Sequence, residues 1–237
     1  MRKILLAVLA VSIFTVTSFA EDVRIFEIKG RVMVRENEDQ RWRKAKEGEH
    51  LDTNYELLTK KNAECTFSFG EKLERAMTIK QNSQIKIADI DAGNLELPKG
   101  RVFSLIERMD KEETFQIRTP TAVAGVRGTG WSMESGKQTS VRCFEGEVAV
   151  KGLDEQGNVV TDKKIEQGSG TEVAKGGEIA EPVAVTEKEK KEWNSFKDVV
   201  KDLIGKPLGE ASKVVGDFSE GAVEGYLGDD GENPFGR

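Results

Sequence analysis

Phe115-Gln-Ile-Arg-Thr-Pro120, Gly125-Val-Arg-Gly-Thr129 and Val141-Arg-Cys-Phe-Glu-Gly146-Glu-Val-Ala-Val150 decide how this chain folds. Phe115 and Ile117 alternate with polar residues, which marks a strand with one buried and one wet face. Pro120 lacks a backbone donor, so the ladder ends there or lies on an edge. Gly125, Gly128 and Gly130 suit a tight turn, where positive φ or close backbone approach excludes other residues. Val141 and Cys143 resume the alternation. Glu145-Gly146 turns the chain, and Val148 and Val150 begin another strand.

The same period runs outward from this stretch. Val23, Ile25 and Ile28 lead to Gly30, followed by Val32 and Val34. Glu64 to Phe69 alternates and stops at Gly70. Met77 and Ile79 precede a Gln81-Asn-Ser83 turn, and Ile85 and Ile87 follow it. Leu95 and Leu97 stop at Pro98-Lys-Gly100, and Val102 to Ile106 forms the next run. Many short runs with turns about every ten residues predict an all-β domain. With no strict repeat, the expected form is a compact solenoid-like or two-sheet stack of many short strands. Its range is residues 21–180.

The pattern changes near Thr186, which can cap a helix whose first turn holds Glu187 and Glu189. Trp193, Phe196, Val200 and Leu203 recur at helical spacing, with Gly205 and Pro207 beyond them. A C-terminal amphipathic helix is therefore expected within a helical appendage over 181–216, with a weaker second helix over 208–215. Its apolar stripe either docks on the β-domain or serves as a partner-binding helix through Trp193, Phe196, Val200 and Leu203. Residues 217–237 hold six acidic and one basic residue among many glycines, a composition that predicts a flexible acidic tail.

At the other end, Arg2 and Lys3, the apolar run from Ile4 to Val16, and Ser18-Phe-Ala20 read as a signal peptide over residues 1–20, cleaved after Ala20. The run is short for a bilayer span, which takes about 20 residues. Cleavage would leave 217 residues of net charge −8, with no membrane span in the mature protein. Such a balance gives no general affinity for nucleic acid. The expected location is periplasmic or secreted, where disulfides form. Cys65 and Cys143 both fall in inward phase. They either pair, closing a long loop worth about 4 kcal/mol, or stay as separate core thiols.

The order of these pieces closely resembles the FecR domain family. Its signature is a strand ending in Thr-Pro (here Thr119-Pro120), an Arg-Gly-Thr turn (Arg127, Gly128, Thr129, after Gly125) and a later Glu-Gly turn (Glu145, Gly146). Gly30-Arg-Val-Met-Val34 resembles the family's opening strand, and Trp42, Ala45, Gly48 and Leu51 its W-x-x-A-x-x-G-x-x-L segment. Leu58-Thr59 through Ala63 to Phe69-Gly70, Ser83 to Ile87, and Gly100-Arg-Val102 follow in family order, with Gly70 in place of the usual aspartate or serine. The resemblance implies a solenoid-like all-β unit. Family members include periplasmic sensors that relay signals to cytoplasmic sigma factors through a cytoplasmic head and a membrane segment. Neither is read here, so the anti-sigma role is not expected to carry over. The motif residues are read as structural, with Arg127 clamping loop carbonyls or a buried carboxylate.

Catalysis and metal binding find no support in the residues. His50 is the single histidine and sits in the charged run Lys46 to His50. There is no Cys-x-x-Cys, no phosphate loop follows Gly130, and Asp52, Asp89 and Asp91 lack calcium-loop spacing. Ser132, Ser135 and Ser140 lack an evident base. The expectation is a non-enzymatic protein without cofactors, acting as an interaction, signalling or scaffold module toward an envelope protein. The oligomeric state is not legible. The alternative is a carbohydrate or peptidoglycan binder using Trp42 and Tyr55.

Overall fold

The computed structural model describes residues 23–70, 73–106 and 115–204. The signal peptide with Ala20, the second helix over 208–215 and the acidic tail lie outside the described residues.

Seventeen strands precede one helix. They are β1 (Val23–Lys29), β2 (Val32–Arg35), β3 (Arg43–Lys44), β4 (His50–Leu51), β5 (Glu56–Thr59) and β6 (Glu64–Phe69). Next come β7 (Arg75–Ile79), β8 (Gln84–Asp89), β9 (Asn94–Ile106), β10 (Phe115–Arg118), β11 (Ala122–Val126) and β12 (Gly130–Ser135). The last are β13 (Thr139–Glu145), β14 (Glu147–Leu153), β15 (Val159–Glu166), β16 (Ser169–Val173) and β17 (Val183–Ala184), followed by α1 (Glu187–Ile204).

Hydrogen bonding sorts the strands into two sheets that share β9. The first runs β4-β1-β6-β7-β9-β12-β13-β16-β17. The second runs β3-β2-β5-β8-β9-β10-β11-β14-β15. Every pair is antiparallel except β9 with β10. The chain thus passes repeatedly from one sheet to the other, as the two-sheet expectation has it.

One expectation needs correction. Pro98-Lys-Gly100 does not separate two strands, because β9 is a single 13-residue strand that changes sheet at that point. Residues Asn94 to Lys99 pair with β8 in the second sheet, and Gly100 to Ile106 pair with β7 and β12 in the first. Pro98 falls where the β8 register slips, so its missing donor costs no ladder bond. Gly100 has φ +91°, and a Cβ there would stand 2.4 Å from the Ser83 Cα. Only glycine fits that corner.

The inner faces form the main core, with Phe67, Met77, Trp131, Phe115, Ile25 and Ile85 all fully buried. A second apolar cluster lies outside the first sheet. There Phe26, Leu73, Ala76, Phe103 and Phe144 meet Val185, Trp193, Phe196, Val200 and Leu203. The molecule therefore has three layers: helix, first sheet, second sheet.

Candidate functional site

The motif residues occupy the corners where the chain changes sheet. Arg127-Gly128-Thr129 carries β11 of the second sheet into β12 of the first, and Gly146 returns β13 to β14. Gly128 and Gly146 have φ +80° and +78°. The two corners lie against each other: the Thr129 hydroxyl donates to the Glu147 carbonyl at 3.0 Å, and the Ile106 N–H donates to the Thr129 carbonyl at 3.1 Å. At the opposite end, the Thr119 Oγ1 accepts the Ala122 N–H at 3.0 Å and closes the turn through Pro120. Buried hydroxyls of Thr119 and Thr121 each meet Thr139 at 2.7 Å, joining this turn to the first sheet.

Beside the Arg-Gly-Thr corner, the outer face of the second sheet holds a groove of about 600 Å³. Gly125 and Ala149 form its floor, since they face each other across the β11–β14 ladder. A Cβ on Gly125 would meet the Gln116 Cγ at 3.6 Å and the Phe115 carbonyl oxygen at 3.9 Å, both ordinary contacts. No clash therefore requires glycine at position 125, and its lack of a side chain leaves the floor low. Arg127, Lys151 and Lys164 stand around the floor with Glu147. Lys164 pairs with Glu147 at 2.9 Å. Among the described residues, Arg127 and Lys151 have no ion pair.

No described residue takes the place of the carbonyl or carboxylate expected to be clamped by Arg127. Its side chain is exposed and makes no hydrogen bond among the described residues. Among the described residues Thr129 holds the corner, and Arg127 lines the groove.

A second hollow of about 460 Å³ shares Gly128, Thr129 and Gly146 with the groove. It continues past the corner to Leu105, Lys201 and Ile204 at the end of α1. Glu145 lines this hollow and is occupied: it accepts Lys197 Nζ at 2.7 Å and the Trp193 indole N–H at 3.3 Å.

The helix itself is docked. Thr186 and Glu189 form a capping box, with the Glu189 N–H donating to Thr186 Oγ1 at 3.3 Å and the Thr186 N–H to Glu189 Oε2 at 2.7 Å. Trp193 stacks on Phe144 at 4.9 Å and 3°. Its ring fills the space above Gly130, where a Cβ would come within 2.4 Å. Gly130 is thus needed for close approach, not for positive φ. Arg142 ties Glu189 and Glu172, each at 2.7 Å, and Arg101 ties Glu192 at 2.7 Å. Burial opposes the Arg142 charge, but the bonds from Glu172 and Glu189 outweigh it and raise its pKa above the ordinary value. Burial likewise opposes the Glu189 charge, yet the Thr186 N–H and Arg142 hold its carboxyl below the usual range. Trp193, Phe196, Val200 and Leu203 are buried against their own sheet, so the stripe is not open to a partner in this state.

Cys65 and Cys143 do not form the disulfide considered above. Both are free and buried. Cys65 lies on β6 and Cys143 on β13, with β7, β9 and β12 between them. Four ladder steps of about 4.8 Å separate them, far beyond disulfide reach. Burial pushes the Cys143 thiol up to about 11 and Cys65 higher still.

The remaining candidates are scattered. Trp42 is half-buried with the Arg35 guanidinium over its ring at 4.7 Å, which occupies a face a sugar would need. Tyr55 packs against the main core. His50 sits on β4 opposite Arg24. Among the described residues, no three His, Cys, Asp or Glu side chains are placed to hold a metal. No described helix is long and apolar enough to cross a membrane. Sequence reading missed the groove because its floor depends on cross-strand pairing. The one available signal was the small pair Gly125 and Ala149 at outward positions.

Two solved structures from Parabacteroides distasonis, each of a protein assigned as an anti-sigma factor, are similar to this chain. The first aligns with a TM-score of 0.46 and 14% identity, covering 59% of this chain and 64% of the other. The second has a TM-score of 0.41 and 16% identity, covering 51% and 55%. This chain spans less than two thirds of the length of either. No curated protein matches it. A family model described as FecR protein matches residues 55–149, from the loop before β5 through the groove floor. The resemblances noted at Gly30–Val34 and Trp42–Leu51 lie before that stretch. The corners, the Thr-Pro turn and the shared strand all fall inside it, so residues 55–149 are the part of this chain that is similar to the FecR family.

Proposed function

We propose that this chain is a non-enzymatic signalling or scaffold module of the cell envelope, exported by residues 1–20, which holds a protein partner in the groove beside Arg127. One observation carries this reading. The FecR corner builds an open floor of Gly125 and Ala149 next to cations that have no acid partner among the described residues. The outer face of the first sheet, by contrast, is filled by α1.

Partner choice at such a site follows from complementary charge and a shaped floor rather than from buried area. Arg127 and Lys151 would recognise a partner's carboxylates, and Gly125 would let its backbone approach closely. The helix holds the corner rigid from behind, through Trp193 on Gly130 and Lys197 on Glu145. It is a support for the site and not a second contact.

The test is capture from native envelope by crosslinking with the unaltered chain and with R127E/K151E. The reading expects the double variant to recover at least tenfold less of the captured protein at unchanged thermal stability. Equal recovery by both chains would end it.

A further inference from the structure

The groove and the hollow beside α1 adjoin at the corner, where Gly128, Thr129 and Gly146 line both, and together they make one path. Along it stand Arg127, Lys151, Lys164, Lys197 and Lys201 against Glu145 and Glu147. Both acids are already committed, Glu145 to Lys197 and Glu147 to Lys164. Arg127, Lys151 and Lys201 are left unmatched among the described residues. This positive path belongs to a chain of net charge −6. Its apolar end is Leu105 and Ile204, the latter 60% exposed.

We propose that the ligand of this path is the chain's own acidic stretch, residues 217–232, so that an outside partner has to displace it. The proposal rests on the groove being the partner site. Residues 217–232 hold six acids and no base, together with Phe218, Val223, Tyr226 and Leu227. That is the composition a cationic path with an apolar end selects. The described chain ends at Ile204, on the path itself. The thirteen residue steps from there to Asp217 can span up to about 45 Å, ample to reach either hollow. Tethering raises the local concentration of such a ligand to the millimolar range, so even weak contacts suffice. Competition with an acidic partner then sets how much groove is open.

The experiment uses the full chain and a fluorescein-labelled synthetic peptide of residues 217–232. One variant carries D217N, E220Q, E224Q, D229N, D230N and E232Q. That variant should bind the peptide saturably at low salt, the unaltered chain at least tenfold more weakly, and the variant with R127E and K151E added not at all. Carbodiimide treatment of the unaltered chain should join residues 217–232 to Lys151 or Lys201 within a monomer. Equal peptide binding by the first two chains, binding that survives R127E/K151E, or crosslinks that join two copies would each overturn the proposal. Envelope capture by the amide variant reads the partner site separately. Capture that persists while peptide binding fails would leave the proposed function standing without the internal ligand.

Discussion

Gly130 and Gly125 stand at opposite ends of one turn and lack side chains for different reasons. At Gly130 the Trp193 ring already fills the space, whereas at Gly125 a Cβ would make only ordinary contacts. Gly130→Ala should therefore lower stability by about 1–3 kcal/mol through overpacking, seen as an earlier urea midpoint. An unchanged midpoint would mean the indole is not seated there. Arg127→Glu should shift stability by no more than about 0.5 kcal/mol, because the residue is exposed and has no partner among the described residues to lose. The thiols offer a second check. Buried Cys143, with its pKa raised to about 11, and the more deeply buried Cys65 should both resist Ellman's reagent in the native protein and react after denaturation. An intact mass two hydrogens short would restore the disulfide. Their inward phase was legible from alternation, but the three intervening strands were not.

The helix was legible as an element and its seat was not. Thr186, Glu189 and the spacing of Trp193, Phe196, Val200 and Leu203 specify a capped amphipathic helix, as found over Glu187–Ile204. What the stripe covers depends on Phe103 and Phe144, which lie on β9 and β13 and face away from the main core. Trp193→Ala should cost about 3–5 kcal/mol, the usual loss for a buried large aromatic. The helix clasp should also weaken in acid. The Glu189 carboxyl titrates lower in the folded protein than in the unfolded chain, so its contribution is present above the ordinary carboxylate pKa and fades as pH falls through the depressed value. Tryptophan fluorescence followed from pH 7 to pH 3 should show this loss, and E189Q should remove part of the pH dependence. A pH-independent signal would contradict it. At β9 the sequence misled in an instructive way. Pro98-Lys-Gly100 reads as a turn, yet the same residues let one strand slip register and bend between two sheets.

At the scale of the whole molecule, period-two spacing and turn residues indicated an all-β stack, and the structure has two sheets joined at their common middle strand. Pairings such as β1 with β6 and β9 with β12 join strands distant in sequence, so alternation alone could not order them. The groove is a product of that ordering: β10, β11, β14 and β15 must lie side by side before Gly125, Ala149, Lys151 and Lys164 share a face. Export is a separate expectation, and N-terminal sequencing of the native protein should begin at Glu21. The most direct test of the account is photo-crosslinking in the living envelope from a probe placed at position 149, with position 190 on the exposed side of α1 as the control. The account predicts a defined protein adduct from position 149 that strengthens when the acids of residues 217–232 are neutralised, and none from position 190. Adducts of equal yield from both positions, or none from position 149 in either chain, would contradict it.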